Sequence, residues 1–271
     1  MSRGARSAIE LPAALGNSAL RRRLAGRAIA LFSDYDGTLT PIVARPELAV
    51  IADETLAALD RLARICTVGV ISGRDLDDLR SMLPAENLWF AGSHGMDLAA
   101  PDGTRHAAAP SSSLSLLAEA ADAVEHAVAP VPAAWVERKR FAVAAHFREV
   151  DDDEVPVVAA AFALVAARFP GLRTTTGKRI LELRPDIDWD KGRALWWLFG
   201  QAGLQRGVVV PIYIGDDVTD EDAFSALGGD GLGIVVDDGD RPTAADFRVS
   251  DADEVRRLLD ELVTWVEPTE R

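Results

Sequence analysis

The sequence predicts an α/β protein, a doubly wound, Rossmann-like parallel sheet interrupted by an inserted α+β module. Three observations carry this. Short apolar runs such as residues 28–32 and 67–71 lack polar alternation, as strands buried on both faces do. Stretches with leucines at helical spacing lie between such runs. Several runs end in clusters of Asp, Ser, Gly or Arg, where open α/β sheets collect their working residues.

The elements follow in order. Residues 1–26 carry arginines but no apolar stretch of signal-peptide length, and are expected to be a lead, frayed or docked as a helix. Ala28-Ile29-Ala30-Leu31-Phe32 is the first strand, and Asp53 caps a helix bearing Leu56, Leu59 and Leu62. The strand 67–71 closes on Ser72-Gly73-Arg74, a helix over 75–82 stops before Pro84, and 88–91 is the third strand. Within 96–106, Asp102-Gly103 signals a hairpin turn, and Pro110 with three serines suggests a linker.

The insert is expected over 109–185. It holds a helix over 114–128, alternating strands over 135–139 and 141–148, and a helix capped by Asp153 with Pro156 in its first turn. Two further alternating strands cover 172–176 and 179–184. The first pattern then returns, so the core is 27–108 plus 186–271. Asp190 caps a helix, the strand 208–214 ends in Gly215-Asp216-Asp217, and Thr219 with Asp222 has capping-box spacing. Strands over 234–236 and 247–249 precede a helix, after Ser250, with Val255, Leu258, Leu259, Leu262, Val263 and Val266 on one stripe.

Composition narrows the partners. The 271 residues are 48% apolar with a net charge of −14, the profile of a folded soluble chain. That acidity disfavours nucleic acid and anionic membranes, and no apolar run reaches the roughly 20 residues of a membrane span. With one cysteine, Cys66, no internal disulfide is possible, and a cytoplasmic location is expected. Residues 171–178 fail as a phosphate-binding P-loop, because Arg179 stands where Ser or Thr must hold magnesium.

Four polar clusters are placed to do chemistry: Asp34-Tyr35-Asp36-Gly37-Thr38, Ser72-Gly73-Arg74, Asp190-Lys191-Gly192 and Gly215-Asp216-Asp217. Carboxylates converging in one cleft repel one another, and an oxygen-rich set with spare water positions suits Mg²⁺ better than zinc. A carboxylate can attack phosphorus, a second can protonate the leaving oxygen and then activate water, and a hydroxyl and a lysine can hold the transferring oxygens.

These clusters resemble, in order, the four motifs of the haloacid dehalogenase-like (HAD) phosphatases. The resemblance implies Asp34 as nucleophile, Asp36 as general acid/base, and Lys191 as a catalytic and phosphate-holding residue with Ser72, Gly73 and Arg74. It implies Mg²⁺ on Asp34, the main-chain carbonyl of Asp36 and Asp216, with Asp217 and Asp220 as supporting partners. The run from Gly215 to Phe224 is similar to the trehalose-6-phosphate phosphatase family, as are Val136-Glu137-Arg138-Lys139, His146-Phe147-Arg148, the segment from Gly177 to Pro185, and Ser93-His94-Gly95. Independently, strand alternation puts Glu137 with Lys139, and Lys178 with Glu182 and Arg184, on common faces. The family likeness implies that Glu137, Lys139 and Glu182 grip the sugar remote from phosphorus, with His94, Arg148 and Lys178 also touching substrate. The expected partner is a phosphorylated disaccharide, cleaved to trehalose and phosphate. The alternatives are a phosphatase for another sugar phosphate and a non-catalytic sugar-phosphate sensor; a sensor has no need of the acid Asp36.

Overall fold

The computed structural model describes residues 6–43, 45–177, 179–237 and 239–266. The chain divides into two compact units, Met1–His106 with Trp189–Arg271, and Ala107–Asp188.

The first unit begins with β1 (Arg6–Ser7), α1 (Ser18–Leu24), β2 (Ala28–Ser33), α2 (Asp53–Ile65), β3 (Thr67–Ile71), α3 (Leu76–Met82), β4 (Leu88–Gly92), β5 (Asp97–Ala99) and β6 (Arg105–Ala107). The second contains α4 (Ser111–Val128), β7 (Trp135–Lys139), β8 (Ala142–His146), α5 (Val155–Ala166), β9 (Leu172–Gly177) and β10 (Ile180–Pro185). The chain returns to the first for α6 (Lys191–Gln201), β11 (Val209–Gly215), α7 (Asp220–Leu227), β12 (Leu232–Val236), β13 (Pro242–Thr243), β14 (Phe247–Val249) and α8 (Ala252–Val266).

The eight-stranded sheet of the first unit has the order β14-β12-β11-β2-β3-β4-β5-β6. It is parallel from β14 through β4 and antiparallel where β5 meets β4. From β2 the chain winds outward through β3 and β4, then resumes on the other side at β11. The reversal between β2 and β11 opens a crevice beyond their carboxyl ends, where ligands of such sheets bind. The apolar runs serve both faces. Ile29 and Leu31 join Leu59 and Leu62 of α2 and Leu258 and Leu262 of α8 in one core. Tyr213 of β11 meets Phe224 of α7 edge-on, with ring centroids 5.7 Å apart.

The N-terminal segment takes the docked form. Asn17 caps α1 by accepting the N–H groups of Ala19 and Leu20, and Leu20 and Leu24 enter the same core. β1 pairs with β13, and Ala13 bridges to Arg248.

Several local expectations are corrected. Asp53 is the first helical residue of α2, and the cap position falls on Ala52, so Asp53 favours the helix through its charge near the N-terminus. The serines expected as linker start α4 behind Pro110. Glu154 precedes α5 in place of Asp153. Thr219 makes no side-chain cap; its hydroxyl donates to Asp217 at 3.4 Å, and Asp220 accepts the N–H of Asp217 at the turn entering α7. Asp251, not Ser250, accepts a first-turn N–H of α8, that of Glu254.

The second unit is a four-stranded antiparallel sheet, β7-β8-β10-β9. Leu117 and Val124 of α4 and Val158 and Phe162 of α5 pack with Val143, Ala145 and Leu183 on one face. β8 ends at His146, short of the expected 148, and residues 142–145 are all buried. The open-side positions there are the small Ala142 and Ala144, which the register sets opposite Lys139, Glu137 and Glu182.

Candidate active site

Asp34 is the first residue beyond β2. Its N–H donates to the carbonyl of Ile214 at 2.9 Å, extending the β2–β11 ladder by one residue. This fixes the side chain beside Asp216, which follows β11. Carboxylate oxygens of Asp34, Asp216 and Asp220 lie within 4.8 Å of one another, and Asp34 is only 5% exposed. Thr38 Oγ1 donates to Asp216 at 3.1 Å. Between them the backbone turns at Gly37 with φ +78°, and a Cβ there would stand 2.1 Å from Asp216 Oδ2. Glycine is required on both counts.

Lys191 opens α6, whose cap is Asp190, accepting the N–H of Arg193. Its buried ammonium lies 3.1 Å from Asp34 Oδ2 and 2.7 Å from Asp220 Oδ1. Asp220 also accepts the Tyr213 hydroxyl at 2.6 Å and the Asp217 N–H at 2.9 Å. Asp220 therefore anchors Lys191 and has donors on both of its oxygens. Asp217 acts here through its backbone, while its side chain is exposed.

Three carboxylates share one lysine. Burial pushes the Asp34 carboxyl well above the ordinary range, with Asp220 and Asp216 adding to the shift and Lys191 opposing it. Burial and then Asp220 raise Asp216 to about 6. Burial alone would lower Lys191, but Asp34 and Asp220 more than reverse it, so the lysine stays charged. Asp34 Oδ1 is buried with no hydrogen-bond partner among the described residues. An orphaned carboxylate oxygen in an under-neutralised, all-oxygen cluster is a fitting place for a hard divalent cation.

Ser72 follows β3, and its N–H donates to the Ala91 carbonyl at 2.8 Å. Its hydroxyl accepts the Arg74 N–H at 3.2 Å, and its carbonyl accepts the His94 N–H at 2.8 Å. His94 sits in a left-handed turn after β4, its ring so near Gly73 that a Cβ there would be 2.8 Å from Nε2. The structure thus brings Ser72, Gly73 and His94 together. It directs the Arg74 guanidinium to Asp36, through a two-pronged pair at 2.7 and 2.6 Å, and to Asp78 at 3.0 Å. The Asp36 side chain, 44% exposed, is turned to that fork.

In the second unit, the register aligns Glu137 of β7, Ala144 of β8, Glu182 of β10 and Thr175 of β9 in one row. Lys139 Nζ reaches across it, 3.5 Å from Glu137 and 3.2 Å from Glu182. Arg184 pairs with the other oxygen of Glu182. Burial raises the Glu182 carboxyl, but Arg184 and Lys139 together hold it below its ordinary value. Arg138 points elsewhere, to Asp122 and Glu125 of α4. Arg148 is exposed in the turn after β8, where alternation no longer fixes its face, and Lys178 lies outside the described residues.

The trehalose-phosphatase family model matches residues 32–253. The chain belongs to that family. A trehalose-phosphate phosphatase of Mycobacterium tuberculosis (strain H37Rv) is 44% identical over 264 residues, covering 96% of this chain and 67% of the relative. An uncharacterized glycosyl hydrolase of the same strain is 49% identical over 252 residues; the match takes in 90% of this chain but 19% of that much longer protein. Among solved structures, a trehalose-6-phosphate phosphatase related protein superposes with TM-score 0.73 at 29% identity, covering 87% of this chain and 97% of that one. A haloacid dehalogenase-like hydrolase from Bacteroides thetaiotaomicron, 17% identical, covers 87% of this chain and 100% of its own with TM-score 0.63, a likeness of fold. The fold is thus the HAD-like one that the four motifs imply.

Sequence reasoning passed over Tyr213, whose aromatic ring looked like strand core, and Trp135, the first residue of an edge strand. Only the hydroxyl–Asp220 bond and the ring stack on His146 distinguish them. A polar-tipped aromatic inside a wholly apolar strand was the one available signal for Tyr213.

Proposed function

We infer that the protein is a Mg²⁺-dependent phosphatase that hydrolyses trehalose 6-phosphate to trehalose and phosphate. The observation that carries this is the junction of Asp34, Lys191 and Asp216 at the carboxyl ends of β2 and β11, with Asp34 Oδ1 unpartnered among the described residues. In this reading Asp34 attacks phosphorus and becomes an aspartyl phosphate, releasing the sugar oxygen. Asp36 must leave the Arg74 fork and carry a proton to act as the acid; it gives that proton to the leaving oxygen and recovers one from the water that cleaves the phosphoenzyme. Lys191, the Ser72 hydroxyl and the backbone at Gly73 hold the transferring oxygens, whose charge is the main quantity to be stabilised. Asp34, the Asp36 carbonyl and Asp216 hold Mg²⁺, which when bound offsets negative charge on the carboxylates and the phosphoryl group.

The inserted unit acts as the specificity cap, with Glu137, Lys139 and Glu182 taking sugar hydroxyls remote from phosphorus. His94, beside the phosphate loop, contacts the substrate from the core, and Arg148 and Lys178 add contacts from the cap. Among the described residues no helix is long and apolar enough to cross a membrane. We assign the enzyme to the cytoplasm on its acidity and its single cysteine.

A substrate panel tests the reading. Phosphate release with Mg²⁺ is expected to be fastest from trehalose 6-phosphate and far slower from glucose 6-phosphate and sucrose 6-phosphate. A preference for either of the other two would move the assignment to another sugar phosphate.

A further inference from the structure

Trp135 lies at the start of the edge strand β7 and is 56% exposed, so it buries too little surface to serve as a core residue. One face of its indole is nevertheless committed. It stacks on the imidazole of His146, with centroids 3.9 Å apart and planes 5° from parallel. The register pairs the two residues directly across β7 and β8. That stack leaves the imidazole edge free to turn along the sheet, where Nε2 lies 2.8 Å from Glu137 Oε2. The same oxygen of Glu137 is 3.5 Å from Lys139. Glu137 is itself half-exposed on a row whose floor is Ala144, too small to brace it. Glu182, by contrast, is buried and held by Lys139 and Arg184.

The geometry points to Trp135 and His146 as a positioning pair: the indole fixes the imidazole plane, and the imidazole fixes the Glu137 carboxylate for the second sugar ring. This deepens the function proposed above and rests on it. A rotamer-rich glutamate on an open face loses conformational freedom when it binds a hydroxyl, and a carboxylate already fixed in place loses less. The pair acts through Glu137 and need not touch the substrate.

A double-mutant cycle on the full chain tests it, measuring kcat/KM on trehalose 6-phosphate and on p-nitrophenyl phosphate. Trp135→Ala and His146→Ala are each expected to lower the disaccharide value about tenfold, in the range seen for directly coupled neighbours. In a Glu137→Ala background the same changes should cost less than about twofold, because the group they position is gone. Trp135→Phe, which keeps a stacking ring, should restore most of the loss, and Trp135→Ala and His146→Ala should leave turnover of the aryl phosphate unchanged. Fully additive losses, or equal losses on both substrates, would overturn the positioning role while leaving the phosphatase intact. Absence of wild-type turnover on trehalose 6-phosphate would overturn both.

Discussion

The ammonium of Lys191 stands 3.1 Å from Oδ2 of Asp34, and both side chains are almost wholly enclosed. One residue comes from the end of a strand and the other from the start of a helix, 157 positions later by their numbers. Asp220, tied down by Tyr213 and by its own turn, keeps the lysine in place from behind. The lysine therefore both orients the Asp34 carboxylate and offsets part of the charge in a cluster with excess carboxylate.

Replacing Lys191 by Met should be costly in two ways. Removing one partner of a buried ion pair leaves uncompensated charge, a loss of about 3–5 kcal/mol. Thermal or urea unfolding should register that loss. Phosphate release should fall by several orders of magnitude even where the variant remains folded, since the proposed reaction uses that charge to hold the transferring oxygens.

Gly37→Ala tests the close approach at the carboxylate cluster. The added methyl would meet Asp216 and would also strain a backbone at φ +78°. Displacing a ligand carboxylate by even about 1 Å should cost roughly 100-fold in kcat. In a titration of activity with Mg²⁺, the variant should need a higher Mg²⁺ concentration for half-maximal turnover than the wild type.

Glu182 gives a pH prediction with a definite sign. Its carboxyl is held below the ordinary value in the folded chain by Arg184 and Lys139, against burial. The stability it contributes is complete above the unfolded-state value and is lost as pH falls through the lower folded value. Melting curves of wild type and Glu182→Gln should differ at neutral pH and converge in acid below the usual glutamate range. A difference that grows in acid would contradict the pairing.

The doubly wound core was legible because its strands are apolar on both faces and polar clusters follow their ends. Asp34, Ser72, Lys191 and Asp216 therefore fell at the expected junctions. Helix starts were less legible: Asp, Ser and Thr occur in pairs there, and propensity does not say which member caps. Asp251 and Ser250 show this, as does Asp220, whose carboxylate serves the turn and Lys191 at once. Side-chain pairing across long separations was the least legible. Nothing in Ser72-Gly73-Arg74 announces that the arginine turns to Asp36, and nothing in Trp135 announces a stack on His146.

In the proposed reaction the phosphoryl group passes to Asp34, in a carboxylate cluster that would hold Mg²⁺. Phosphate release from trehalose 6-phosphate tests it most directly, with wild type assayed in Mg²⁺, in EDTA and after Mg²⁺ is restored, beside Asp34→Asn in Mg²⁺. Turnover is expected to vanish with EDTA and return with Mg²⁺, and the Asp34→Asn variant to stay folded, form no phosphoenzyme and release no more than a trace of phosphate. Full activity in metal-free buffer, or substantial turnover by Asp34→Asn, would contradict it.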